Sequence, residues 1–252
     1  MTGWPLVSQR GIKVRAYYDP KITKEQFDQE AYYQIQGEDI IHHFVKVVRL
    51  RPREKVLLLN GKGLTVTTEV LRVDKLKIDL EVVGVVEKKR PYIIDYAVGI
   101  TKRESFEDTM RIAVESGVHR FFPIKTEFAN DLYIKDERLD KILESSLTPS
   151  NNPFMTEIRE QTFLKELEFK NYKKVYYFTL SSEKGKALGT TKLEPDDSIL
   201  VILGPEGGLS VQEEDYLDQN GAIGINLATP ILRTPNALSC SVGYLLAHYQ
   251  NN

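Results

Sequence analysis

The string Ile202-Leu203-Gly204-Pro205-Glu206-Gly207-Gly208-Leu209-Ser210 carries the strongest chemical signal in the chain. It follows an apolar, strand-sized run and leads into a helix opened by Ser210, with Glu213 three residues on, the pattern of a reciprocal capping box. Gly204, Gly207 and Gly208 let a backbone come close to a flat ligand and hold it through main-chain N–H and C=O groups. The loop has neither the lysine of a triphosphate-binding loop nor the spacing of a dinucleotide fingerprint, so a nucleoside fits it better. A second string, Leu227-Ala228-Thr229-Pro230-Ile231-Leu232-Arg233-Thr234-Pro235-Asn236-Ala237, also joins a strand to a helix. Thr234 is read as the N-cap and Pro235 as the first helical residue, where a missing N–H costs nothing. Arg233 then stands at a helix start, which favours anions. A cation there points to a functional task, and pairing with a carboxylate such as Glu206 is the plain alternative. A third segment places Lys46, Arg49, Arg51, Arg53 and Lys55 within ten residues, against Glu54 alone. Such a stripe can track phosphates without reading sequence, and a merely solvated charged face is its competitor.

Residues 14–87 read as mostly β, and they present these cations. Lys55–Asn60 ends in Asn60-Gly61, a hairpin signal, and Leu64–Val73 and Leu76–Val86 are strand-like, which predicts a small barrel. The charged segment Glu87–Pro91 is the expected linker. From Tyr92 the rhythm changes. Strands are expected at Tyr92–Ile100, Arg120–Ile124, Lys174–Leu180, Ser198–Leu203 and Ala222–Leu227. Helices are expected at Glu104–Gly117, Glu137–Leu147, Ser210–Gln219 and Thr234–Gln250. This alternation predicts an α/β domain over residues 92–252 with a mainly parallel sheet, whose strand ends are where such folds bind ligands.

The length of 252 residues suits one small and one larger domain. No apolar run is long enough for a membrane span, and Met1–Lys13 lacks the pattern of a secretory signal, so it is read as an extension. A single cysteine, Cys240, excludes an internal disulfide and a cysteine-based zinc site, and the four histidines show no metal spacing. A reducing, cytoplasmic setting without metal or membrane is expected. Residues 1–90 hold 17 Lys and Arg against 12 Asp and Glu, and the remainder 17 against 24. A basic front and an acidic back suggest a polyanion-facing module joined to another function.

Together the three segments resemble the family of 16S rRNA uridine N3-methyltransferases, of the SPOUT class with a C-terminal trefoil knot. The resemblance rests on Leu203–Ser210 followed by Ile231-Leu232-Arg233-Thr234 and Ala237. Weaker echoes are Val14–Tyr18, His43–Leu50, Asn60-Gly61, Lys102 and Ala113–Val118. It implies a PUA-like barrel for RNA, then a knotted α/β domain, assembled as a homodimer. It further implies that Leu203, Gly204, Pro205, Glu206, Gly207, Gly208, Leu227, Ile231, Leu232, Thr234 and Ala237 hold S-adenosylmethionine. Arg15, Lys46, Arg49, Arg51 and Arg53 would then face small-subunit ribosomal RNA. Three stretches depart from the family pattern: Thr229-Pro230 replaces a stretch with arginine, Pro235-Asn236 removes an acidic residue, and Thr148–Phe154 replaces a Gln- and Arg-rich segment.

Methylation of uridine N3 requires stabilising charge as its proton leaves. Arg233 is the expected donor, and Glu206 is expected to orient it rather than serve as base. Two other readings stay open: a knotted RNA-binding or assembly protein without catalysis, and a methyltransferase for another RNA base.

Overall fold

The computed structural model describes residues 15–133, 135–187, 194, 197–227 and 230–250, the last three through their backbone only. The proposed extension 1–13 and the substituted Thr229 lie outside these residues. The described chain divides into two units. One takes the residues up to Arg90 together with Leu147–Met155, and the other takes Pro91–Ser146 and the residues from Thr156 on. The second stretch of the first unit, Leu147–Met155, differs from the contiguous barrel expected over 14–87.

In the first unit, β1 (Arg15–Tyr18), β2 (Tyr32–Gln36), β3 (Lys55–Leu59), β4 (Leu64–Val73) and β5 (Lys77–Glu87) form one sheet in the order β1-β3-β4-β5-β2. β1 runs parallel to β3, and the other pairs are antiparallel. Two short helices, α1 (Lys24–Gln29) and α2 (Glu38–His42), complete it. Ile35, Val56, Leu58, Leu64, Val66, Ile78 and Leu80 make the core with Phe27, Ile41 and Phe44 from the helical segments. The Asn60-Gly61 turn is longer than a two-residue hairpin. Asn60 Oδ1 accepts from the N–H groups of Lys62 and Leu64 at 2.8 and 3.1 Å, which closes a four-residue loop. The Leu147–Met155 segment docks on that loop. Gly63 N donates to Pro153 O at 2.9 Å, and Met155 N to Gly61 O at 2.8 Å.

The basic stripe is built by an unusual local fold. α2 continues into a π-helical turn, His43–Val48, which Arg49 ends in the left-handed conformation at φ 56°. Arg53 is also left-handed, at φ 71°. Side chains with a Cβ adopt this region at a cost. Lys46, Arg49, Arg51 and Arg53 are exposed. Arg15, also expected to face RNA, is partly buried and pairs with Glu54 at 2.9 Å.

The second unit holds a wholly parallel sheet built from β6 (Ile93–Gly99), β7 (Arg120–Lys125), β8 (Glu157–Ile158), β9 (Thr162–Phe163), β10 (Lys174–Phe178), β11 (Lys186–Ala187), β12 (Ser198–Leu203) and β13 (Ile223–Asn226). The order is β11-β13-β10-β12-β6-β7-β8, and β9 also pairs with β7. The helices are α3 (Arg103–Glu115), α4 (Asp136–Ser150), α5 (Val211–Gln219) and α6 (Thr234–Gln250), α4 running on into the first unit's segment. β12 shows why the sheet is parallel. Its run SILVIL is buried from Ile199 through Leu203, with no polar alternate, as a strand covered on both faces must be. α6 is anchored by a buried hydrogen bond of 2.8 Å between Tyr96 on β6 and Ser241.

Glu107, buried on α3, ties this helix to α4. It accepts from Arg138 at 3.2 and 2.5 Å and from Arg111 at 3.3 Å. The Arg138 hydrogen bonds hold its carboxyl below the usual glutamate value despite burial, with Arg111 adding to the effect. A carboxylate depressed in the folded state contributes stability above its unfolded value, and loses that contribution as pH falls through the folded one. Thermal melting between pH 7 and pH 3 is expected to show less acid destabilisation for Glu107→Gln than for wild type, from a lower starting stability at pH 7. Parallel curves would mean that Glu107 carries none of the acid sensitivity.

Candidate active site

The two strings identified by their chemistry end up side by side. β12 and β13 flank β10, so the loops at their carboxyl ends open on the same edge of the sheet. The capping box forms as the sequence predicts: Ser210 Oγ accepts from Glu213 N at 3.3 Å, and Glu213 Oε2 from Ser210 N at 2.8 Å. This fixes where the first loop becomes helix α5. Within that loop, Gly208 N donates to Pro205 O at 2.9 Å, making a tight turn. The two loops are joined directly, because Thr234 Oγ1 donates to Gly204 O at 3.3 Å.

That bond revises the role of Thr234. Ala237 N donates to Arg233 O at 2.9 Å, so Arg233 is the capping residue and Thr234 the first residue of the helix. Thr234 uses its hydroxyl to tie the loops and not to cap its own helix. Arg233 therefore stands one position closer to the helix start than expected. It is exposed and makes no ion pair among the described residues.

The loops enclose a cavity of about 310 Å³. Leu203, Gly204, Pro205, Glu206, Gly207, Gly208, Leu227, Ile231, Leu232, Thr234 and Ala237 all line it, so every residue expected to hold the ligand is brought together. Phe178, Thr179, Leu180 and Ser181, at the end of β10, form a further wall that the sequence reading missed. Thr179 is buried, donates its N–H to Ile225 O at 3.0 Å, and accepts from Ser181 N through its hydroxyl at 3.0 Å. The only signal for this wall was the expected strand at Lys174–Leu180. Its place between β12 and β13 depends on strand order, which no local pattern encodes.

Glu206 corrects a second expectation. Its carboxylate does not orient Arg233. Oε1 accepts from Lys102 N at 3.0 Å and Oε2 from Asn130 Nδ2 at 3.2 Å. Lys102 precedes the first residue of α3, whose start has no side-chain cap of its own. Glu206 supplies that charge from the neighbouring loop, and the helix dipole favours an anion there. Its two oxygens hold the glycine loop to α3 and to the loop carrying Asn130.

Among the described residues, no group of three or more His, Cys, Asp or Glu side chains is placed to hold a metal ion, and no helix is long and apolar enough to cross a membrane.

Residues 88–246 match the family model of the RNA methyltransferase domain. The chain belongs to this family. Residues 35–83 match the RNA methyltransferase PUA domain, which covers the basic stripe and most of the first sheet. Relatives of this methyltransferase include the ribosomal RNA small subunit methyltransferase E of Bacillus subtilis (strain 168), 25% identical over 235 residues, covering 87% of this chain and 91% of the relative. The protein of the same name from Aquifex aeolicus (strain VF5) is 27% identical over 215 residues, covering 83% and 92%. The crystal structure of the Neisseria gonorrhoeae ribosomal RNA small subunit methyltransferase E bound to S-adenosyl methionine has the same fold. Its TM-score is 0.75 at 22% identity, with 93% of this chain and 97% of that one covered.

Proposed function

We propose that this methyltransferase uses S-adenosylmethionine to methylate N3 of a uridine in small-subunit ribosomal RNA. The reading is carried by the cavity between two glycine- and leucine-lined loops that Thr234 and Gly204 tie together. Its volume of about 310 Å³ lies at the small end of ligand pockets. Apolar side chains and main-chain groups line most of it, as an adenosyl group and a methionine stem require. When bound, this cofactor supplies an electrophilic methyl group on a sulfonium.

The chain's own residues have three tasks. Gly204 and Gly208 let the loop backbone close on the ligand. Leu203, Leu227 and Leu232 exclude water, so that the acceptor nitrogen can be held in line and unsolvated. Arg233 stabilises the negative charge that develops on the uracil ring as the N3 proton leaves, helped by the N–H groups that the start of α6 leaves without intrahelical partners. With Glu206 committed to α3, charge stabilisation by Arg233 is the task assigned to this site.

The reading includes the trefoil knot, a homodimer and a cytoplasmic setting. The match of residues 88–246 to the RNA methyltransferase domain supports the knot. α6 supports the dimer: Asn236, Ser239, Cys240, Gly243 and Ala247 leave one face of mostly small side chains exposed on this helix.

The test is to incubate the protein with methyl-labelled S-adenosylmethionine and unmodified small ribosomal subunits. Label recovered as N3-methyluridine in the rRNA is expected. Label on another base would redirect the assignment, and cofactor binding without transfer would leave an RNA-binding or assembly protein. In the same assay Arg49→Glu is expected to raise the KM for RNA several-fold, with a shallower salt dependence and unchanged cofactor affinity. An unaltered salt slope would take Arg49 out of the RNA-binding surface.

A further inference from the structure

The loop that follows β7 presents aromatic rings where they cost the protein burial. Phe128 is 48% exposed and Tyr133 is 76% exposed. Scattered apolar residues on a surface are ordinary. These two share one loop, and its backbone is pinned. Glu127 N donates to Glu213 Oε1 at 2.8 Å, and Asn130 N to Ile100 O at 2.7 Å. Asn130 Nδ2 donates to Glu206 Oε2 at 3.2 Å, and Arg103 Nη2 to Tyr133 O at 3.0 Å. A loop held by four hydrogen bonds at three of its residues has no need of outward-facing rings for its own stability.

Phe128 lies against the glycine loop of the cavity. A Cβ at Gly207 would come within 2.9 Å of the Phe128 Cβ and 3.2 Å of its Cγ, so only glycine admits the ring at this distance. Gly207 lines the cavity and Phe128 does not, so the ring packs against a residue of the cavity wall. Exposed Lys102 and Arg103 begin the neighbouring helix, and the main chain of Lys102 shares Glu206 with Asn130. An aromatic face beside a ligand cavity with cations close by is how single-stranded nucleic acid is held, since every base has a face to stack.

We propose that Phe128 is the platform on which the acceptor nucleobase of the RNA stacks at the mouth of the cavity. This rests on the reading of that cavity as the methyl-donor pocket. Phe128 is a positioning residue: it holds the base beside the donor and takes no part in proton removal.

The experiment measures binding of a short fluorescein-labelled single-stranded RNA containing one uridine, to protein saturated with S-adenosylhomocysteine. A short strand limits the contribution of the basic stripe. Phe128→Ala is expected to weaken this binding by about 5- to 150-fold, the range that stacking of one base supplies. Phe128→Trp is expected to restore it, and both variants should bind S-adenosylhomocysteine as the wild type does. On rRNA, Phe128→Ala should raise KM more than it lowers kcat. Unchanged RNA binding in Phe128→Ala would overturn the stacking role alone. Equal losses of RNA and S-adenosylhomocysteine binding would make the ring a prop for Gly207, and a change in sedimentation would make it a subunit contact, each overturning the proposal. Failure of the wild type to bind S-adenosylhomocysteine would overturn the cavity reading and this proposal with it.

Discussion

Gly204→Ala is expected to weaken S-adenosylmethionine binding by roughly 10- to 100-fold. A Cβ at this position would lie 2.5 Å from Gly208 C, 2.8 Å from Gly208 Cα and 2.8 Å from Leu209 N. All three are backbone atoms, so no side-chain rotation relieves the clash, and the turn itself must open. Forced repacking of this kind costs about 1–3 kcal/mol. Here the cost falls on the loop that lines the cavity, and Gly204 O would also lose its alignment with Thr234 Oγ1. Gly208→Ala is the control. Its φ of 77° strains any other residue, yet a Cβ there meets nothing within 4 Å. It should cost about 1–2 kcal/mol in stability with a smaller loss of affinity. Isothermal titration beside thermal melting separates the two effects. Equal affinity losses would show that backbone conformation, and not closeness of the two strands of the loop, governs the site.

The second large effect is expected on turnover. Arg233→Ala should lower methyl transfer at least tenfold while changing cofactor affinity less than about twofold. A charge-assisted hydrogen bond is worth about 1.5–3 kcal/mol, and here it would be made only as the uracil ring gains charge. Arg233 is exposed and has no carboxylate partner among the described residues, so its removal strands no buried charge and should leave folding intact. Single-turnover transfer with saturating cofactor reads the chemical step, and titration reads the affinity. If both fall by the same factor, Arg233 grips the cofactor and the charge-stabilising role fails.

Much of the molecule could be read from local signals. β4, β12 and α6 begin and end where their patterns indicated, because each ends in an unambiguous punctuation: Asn60-Gly61 before one, Gly204 after another, Thr234-Pro235 at the third. The two ligand loops were legible for the same reason, since their glycines and caps act within a few residues. What escaped depends on partners distant in the chain. Glu206 meets Lys102 across 104 residues, and Arg15 meets Glu54 across 39. Neither partner could be foreseen from the local sequence around it. The Phe178–Ser181 wall was invisible because β10 lies between β12 and β13 only in space. Thr234 was expected to cap its own helix, but its hydroxyl found a carbonyl 30 residues away.

The return of Leu147–Met155 to the first unit has a consequence for how the protein is made. A ribosome that has released only the first 90 residues has released an incomplete barrel, still lacking the strap that Gly61 and Gly63 bind. About 65 more residues must emerge first, which at roughly 5–20 residues per second is a wait of about 3–13 s. Nascent chains arrested before that point should be cut readily by protease within their basic half, and those arrested well beyond it should resist. The first unit, though its strands are the first off the ribosome, would be completed only after most of the chain has been synthesised.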